Sequence, residues 1–191
     1  MFNSGRDSSG WRLNVQVSYA RGVADDDVPW LTRDELRAWL ALSALTEVLP
    51  SAVDAQLKRD AGINRFEYQV MAGLSESPGR TIRMSVLAAF ASGSLSRLSH
   101  ALTRLESHGW VVRRPCADDP RAVEAVLTDA GMAKVRETAP GHVQEARRLV
   151  VDVLTPTQIG QLERICMKLL DTVGPEQADL LRTMPISAVD D

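Results

Sequence analysis

Cysteine is scarce in this chain. Two thiols, Cys116 and Cys166, among 191 residues are too few for a disulfide framework. With three scattered histidines they also make no zinc site legible from spacing. His100, His108 and His142 have no histidine four residues away and no paired cysteines nearby, so a metal-binding helix is not indicated. No metal or cofactor is expected. Long apolar runs are missing too. No stretch approaches the roughly 18 residues of a membrane span. The first 30 residues carry scattered charge rather than the apolar centre of a signal peptide. A cytoplasmic chain with no membrane partner is the expectation. A Gly-rich phosphate loop, a His-Glu metal helix and a nucleophile elbow are absent as well, so an enzyme is poorly supported.

What the chain does have is apolar content and an uneven charge. Apolar residues make up 45% and charged residues 25%, which suits one globular domain with a sizeable core. The net charge is −3, which argues against coating nucleic acid by bulk attraction. Residues 80–121, however, hold Arg80, Arg83, Arg97, Arg104, Arg113, Arg114 and Arg121 against only Glu106, Asp118 and Asp119. A basic segment in an acidic host suggests a localised anionic partner.

Along the chain, helical patterning dominates. Residues 1–31 are an extension in which Leu13, Val15, Val17 and Tyr19 alternate as in an edge strand; a disordered arm fits equally. From Thr32, with Glu35 completing a capping box, an apolar stripe runs to about residue 62, and Pro50 should kink or split that helix. Asn64 and Glu67 repeat the capping signal for a second helix. "RTIRM" reads as a short strand and Ser85–Phe90 as a short helix. Gly93 marks a turn before a helix beginning near Ser94 and ending at Gly109. "WVV" and "AVEAVL" flank the turn-rich "PCADDP" as a β-hairpin. Thr128 caps a long helix that is expected to bend near residues 139–141. Thr155, Pro156 and Gln158 start another, whose stripe places Cys166 in the core. Residues 176–191 read as a polar tail, frayed in part. No repeat of 20–50 residues occurs.

The helix near residues 94–107 is the most informative element. Leu95, Leu98, Leu102 and Leu105 recur at helical spacing, predicting a buried face. At about 100° per residue, the opposite face gathers Ser96, Arg97, His100, Thr103, Arg104 and Ser107, and no acid. Ser94 and the small Ser96 allow close approach. Such a face suits a DNA major groove, where arginine grips guanine and small polar groups reach base edges or phosphates. With the short helix and the turn before it, this is a helix-turn-helix. Alone, the face could be an ordinary solvated helix surface. The hairpin that follows makes it a winged helix. Arg113, Arg114 and Arg121 lie on or beside that wing, where an arginine can enter a minor groove. Asp119 is expected to pair with Arg121 and hold the tip.

The segment "MSVLAAFASGSLSRLSHALTRLESHGWVVRRPCADDPRAVEAVLTDAG" resembles the MarR family of winged-helix regulators. The family pattern reads here as Arg104-Leu105-Glu106, Gly109-Trp110-Val111, Arg113, Asp119-Pro120-Arg121, and Leu127-Thr128 with Gly131. The likeness covers about residues 83–131, and the helical order fits from about 32 to 173. It implies a mainly α fold: a winged helix-turn-helix with a small β-hairpin wing, plus N- and C-terminal helices forming a dimerisation region. It also implies a homodimer binding palindromic operators on double-stranded DNA, usually as a repressor. Two departures stand out, the long N-terminal extension and Pro120 inside the wing motif, which fixes the local backbone.

On this basis the chain divides into an extension (1–31), a dimerisation helix (32–62), the winged helix (63–131), further dimerisation helices (132–175) and a tail (176–191). The outer helices carry apolar stripes that a small winged-helix core cannot cover, so a two-fold interface is expected. It would set two recognition helices roughly 34–36 Å apart. Many members of the resembled family release DNA when a small aromatic or phenolic effector binds. Trp39, Phe66, Tyr68 and Met71 could line such a pocket, although core packing explains them as well. Cys116 lies near Arg113 and Arg114, which would lower its pKa if it were exposed; a passive thiol is the simpler reading. A winged-helix module for protein contacts, or a co-regulator without its own operator, is the competing function.

Overall fold

A computed structural model describes residues 28–91, 93–116, 118–119 and 121–183. The alternating Leu13–Tyr19 stretch, Pro120 and the end of the tail lie outside them. The chain divides after Ser43 into two compact units. Helix α1 (Arg33–Ala61) runs through the division.

In the first unit, Thr32 and Glu35 form both arms of a capping box. The Thr32 amide donates to Glu35 Oε2 at 2.7 Å, and the Glu35 amide donates to Thr32 Oγ1 at 3.4 Å. Trp30, Leu31, Trp39 and Leu40 are all exposed here.

The second unit begins with the rest of α1. Pro50 does not split this helix; α1 continues through it to Ala61. One missing donor is a local loss in a helix of 29 residues, and Ser51 Oγ donates to the Glu47 carbonyl in the same turn. By length and composition alone α1 could also cross a membrane. Glu47 and Asp54 interrupt its apolar stretch, and Gln56 and Leu57 are buried within the protein.

Helix α2 (Arg65–Glu76) starts at Asn64 with a complete capping box to Glu67. A 3₁₀ turn (Pro78–Arg80) leads to β1 (Thr81–Arg83), then to α3 (Met84–Phe90) and α4 (Leu95–Ser107). Strands β2 (Val111–Pro115) and β3 (Val123–Leu127) follow as an antiparallel hairpin, and β1 adds to its other side in the order β1-β3-β2. Period-2 alternation turns Val111, Ala125 and Leu127 into the core. There they meet Leu57, Val70, Met71, Leu74 and Leu87 from the helices.

The buried face of α4 is Leu98, Ala101, Leu102 and Leu105, an i, i+3, i+4, i+7 set. Leu95 departs from the sequence expectation: it is 57% exposed. It is the first residue of the helix, and Ala101, 1% exposed, takes the fourth core position instead. Truncating any of the three buried leucines would cost about 2–5 kcal/mol.

Helix α5 (Asp129–Ala146) is capped by Thr128, whose Oγ1 accepts from the Gly131 amide at 3.0 Å. The same hydroxyl donates to the Gly109 carbonyl at 2.7 Å. A Cβ at position 131 would stand 2.1 Å from the Trp110 carbonyl oxygen, so only glycine lets the helix start this close to the hairpin. The helix passes through Pro140 and ends in a π-helical turn, Arg147–Val151.

Helix α6 (Pro156–Val173) carries the expected Thr155–Gln158 capping box, but none of its residues is buried. Cys166, expected in the core, is exposed. So are Ile165, Leu169 and Val173. The stripe is present in sequence, but among the described residues it is covered only in part. The first part of the tail, expected to fray in part, forms helix α7 (Pro175–Thr183). Ala178 is fully buried there, and Arg182 ties Asp179 to Asp171.

Candidate nucleic-acid interface

The site is α4 and the wing, each held by ion pairs that cross between elements. Ser94 caps α4, its hydroxyl accepting from the Arg97 amide at 3.1 Å. Gly93 precedes it, where a Cβ would meet the Phe66 ring at 2.6 Å. Any side chain at position 93 would have to push the Phe66 ring aside. Ser96, Arg97, His100, Thr103 and Arg104 are all exposed.

Three arginines are engaged on or against α4 itself. The Arg97 guanidinium lies 4.3 Å from the centroid of the Phe66 ring, a cation–π contact that limits its rotamers. Arg104 Nε donates to Glu67, whose side chain is 9% exposed. Glu67 thus serves two partners. One oxygen holds Arg104, and the other accepts from the Asn64 amide at 2.9 Å in the capping box.

Arg113 is the third. Its guanidinium pairs with Glu106 and donates to Ser99 and Thr103 hydroxyls, each at 3.3 Å, while its amide donates to Glu106 at 3.0 Å. The Arg113 hydrogen bonds hold the Glu106 carboxyl below the usual range, and Glu106 raises Arg113 in return. Arg113 thus ties the base of the wing to α4 through Glu106, Ser99 and Thr103.

Further along the wing, Arg114 pairs across the hairpin with Glu124 at 2.7 Å, its register partner. Asp118 pairs with Arg83 of β1. At the tip, Asp119 Oδ1 accepts from the Arg121 amide at 3.0 Å and stands 3.6 Å from its guanidinium. The Arg121 side chain remains 95% exposed. Asp119 shapes the turn, and Arg121 extends from it. Cys116 is buried beside the wing, and burial, helped by Glu124, pushes its thiol up. The opposing pull comes from Arg83 and is outweighed, while Arg113 and Arg114 are each paired with an acid.

Of the residues considered for an effector pocket, Phe66, Tyr68 and Met71 belong to the hydrophobic core, and Trp39 is 59% exposed. Tyr68 packs on His142 with ring centroids 4.6 Å apart. A separate open groove runs along α4, lined by Lys58, Arg65, Arg97, His100 and Arg104 with Asp54.

Sequence reasoning did not find the roles of Phe66, Glu67 and Glu106 at this site. Glu67 left one signal: a capping-box carboxylate has a second oxygen to spare.

A winged helix-turn-helix with a cationic recognition face defines a class of DNA-reading regulators, and comparison places the chain within it. The MarR family model matches residues 63–123. Sco3205, a MarR family transcriptional regulator from Streptomyces coelicolor solved in complex with DNA, is 42% identical. The likeness covers 76% of this chain and 95% of that one, with a TM-score of 0.73. AbsC, another MarR family regulator from the same organism, is 34% identical over 76% and 98% of the two chains, with a TM-score of 0.72. The transcriptional repressor MprA of Escherichia coli K12 is 28% identical over 118 residues, 62% of this chain and 66% of that repressor. The chain belongs to the MarR family of transcriptional regulators.

Proposed function

We propose that the protein is a dimeric, sequence-specific repressor that reads palindromic operators in double-stranded DNA. The observation that carries this is the joint presentation of α4 and an arginine-tipped wing, locked together by Arg113. Helix α4 enters the major groove and offers Ser96 and His100 to base edges. Arg97 and Arg104, braced by Phe66 and Glu67, flank the groove at the phosphates. Arg121 extends toward the adjacent minor groove, whose narrow form attracts arginine. The DNA complex of Sco3205 and the repressor role of MprA support the same reading.

A second copy of the chain supplies the missing cover for the outer helices. Val48 on α1 is 66% exposed, and Ile165 and Val173 on α6 are 58% and 79% exposed. An eighteen-residue amphipathic helix with no buried residue is stable when its stripe is covered, and a two-fold interface covers both copies at once.

The test is selection from random duplex DNA by the full chain, followed by binding at several salt concentrations. Enrichment of an inverted repeat, with log K falling linearly in log salt, is the expected result. A protein that enriches no sequence would instead be a co-regulator acting through protein contacts.

A further inference from the structure

Leu95 stands at the first position of α4 with its side chain in solvent. An exposed leucine alone says little; its location says more. The first turn of the second helix is the part of such domains that touches base edges. Small neighbours, Ser94 and Ser96, let the backbone come close there. Beside Leu95, Met84, Pro115 and Val123 continue an apolar strip between the start of α4 and the base of the wing, edged by Ser99, Arg113 and Arg114. Each nearby cation has a partner of its own: Arg97 lies on Phe66, Arg113 pairs with Glu106 and Arg114 with Glu124. Leu95 is therefore the large apolar side chain exposed in the first turn of α4, on the side of the helix next to the wing.

Among the groups that bases present in the major groove, the 5-methyl of thymine is the apolar one. We propose that Leu95 reads a thymine methyl in each operator half-site, an inference that rests on the DNA-binding reading above. Cytosine at that position would set its amino donor against the leucine and lose a hydrogen bond to water. Thymine loses none and buries a methyl. Leu95 is then a specificity-determining residue, whereas the braced arginines supply orientation and affinity.

The experiment uses the full-length protein and the operator it selects from random duplex DNA. Each thymine is replaced symmetrically by deoxyuridine, which removes only the methyl, and affinity is measured for wild type, Leu95→Ala and Leu95→Gln. One position should weaken wild-type binding about fourfold per half-site, the factor for one buried methyl-sized group. Both variants should be indifferent to deoxyuridine at that position yet keep their response to changes elsewhere in the site. Because Leu95 is exposed, the variants should melt with wild type; two unlike replacements guard against a misfolded one. The proposal is overturned if no deoxyuridine weakens wild type, if the half-site contains no thymine, or if the penalty persists undiminished in both variants. Failure to select any sequence would instead overturn the DNA-binding reading itself.

Discussion

The Nε of Arg104 on the recognition helix donates to Glu67, a carboxylate 9% exposed on the neighbouring helix. The pair is lopsided, since the arginine side chain is 55% exposed. Removing the arginine strands a buried charge, whereas neutralising the glutamate strands an exposed one. Buried unpaired charges are the costlier outcome. Arg104→Ala should therefore destabilise the protein more than Glu67→Gln, which keeps an acceptor for the Asn64 amide and should cost about 1 kcal/mol. Urea melts of both variants and of the double variant give the order. Equal losses would mean that Glu67 does not depend on Arg104.

The two wing arginines should separate stability from binding. Arg121 is 95% exposed, so Arg121→Ala should leave stability within about 0.5 kcal/mol of wild type. It should weaken operator binding and reduce the salt slope by about 0.9 for each phosphate that Arg121 neutralises. Arg113→Ala should do the reverse first. It breaks the pairing with Glu106 and the bonds to Ser99 and Thr103, for about 1–2 kcal/mol of stability after allowance for exposure. A stable Arg113→Ala with an unchanged wing angle would remove its role as a brace.

Acid should weaken the fold in two steps with separate origins. Burial holds the His142 imidazole below its ordinary value of 6.5. The unfolded chain then takes up the proton first, so stability is complete above that value and declines as pH falls toward the depressed folded value. His142→Phe should flatten the decline. Glu106 is held below 4.5, chiefly by its hydrogen bonds with Arg113. Its contribution is present above 4.5 and is lost as pH falls through the lowered folded value. Stability measured between pH 7 and pH 3 in the single variants resolves the two; a His142→Phe profile identical to wild type would refute the first.

The thiols report on assembly. Cys116 is 3% exposed and its pKa is raised by burial, so it should resist thiol reagents in the folded protein at neutral pH. Cys166 is exposed on the protomer within the uncovered stripe of α6. Its labelling should slow as protein concentration rises and dimers form. Leu169→Glu should restore fast labelling and yield a monomeric mass by light scattering. Fast, concentration-independent labelling of Cys166 in wild type would place the interface elsewhere.

Much of this was legible locally. The Thr32–Glu35, Asn64–Glu67 and Thr155–Gln158 capping boxes each depend on residues three apart, and the hairpin follows from its turn chemistry. Leu98, Leu102 and Leu105 announced a buried face by spacing alone. The same spacing misplaced Leu95, because periodicity gives a direction around the helix and not how far the core extends along it. Cys166 was misplaced for a different reason: a stripe records that a helix has an apolar face, not what lies against it.

The order of chain elements, their caps and the charge bias of residues 80–121 are properties of short sequence windows, so the sequence by itself determined them, and with them the winged-helix family. Which arginines are braced was a matter for the tertiary structure alone. Arg104 meets Glu67 across 37 positions, and Arg83 meets Asp118 across 35. Charges of like kind look equivalent along a chain. Only folding brings a buried carboxylate to one guanidinium and leaves another, at Arg121, to the solvent.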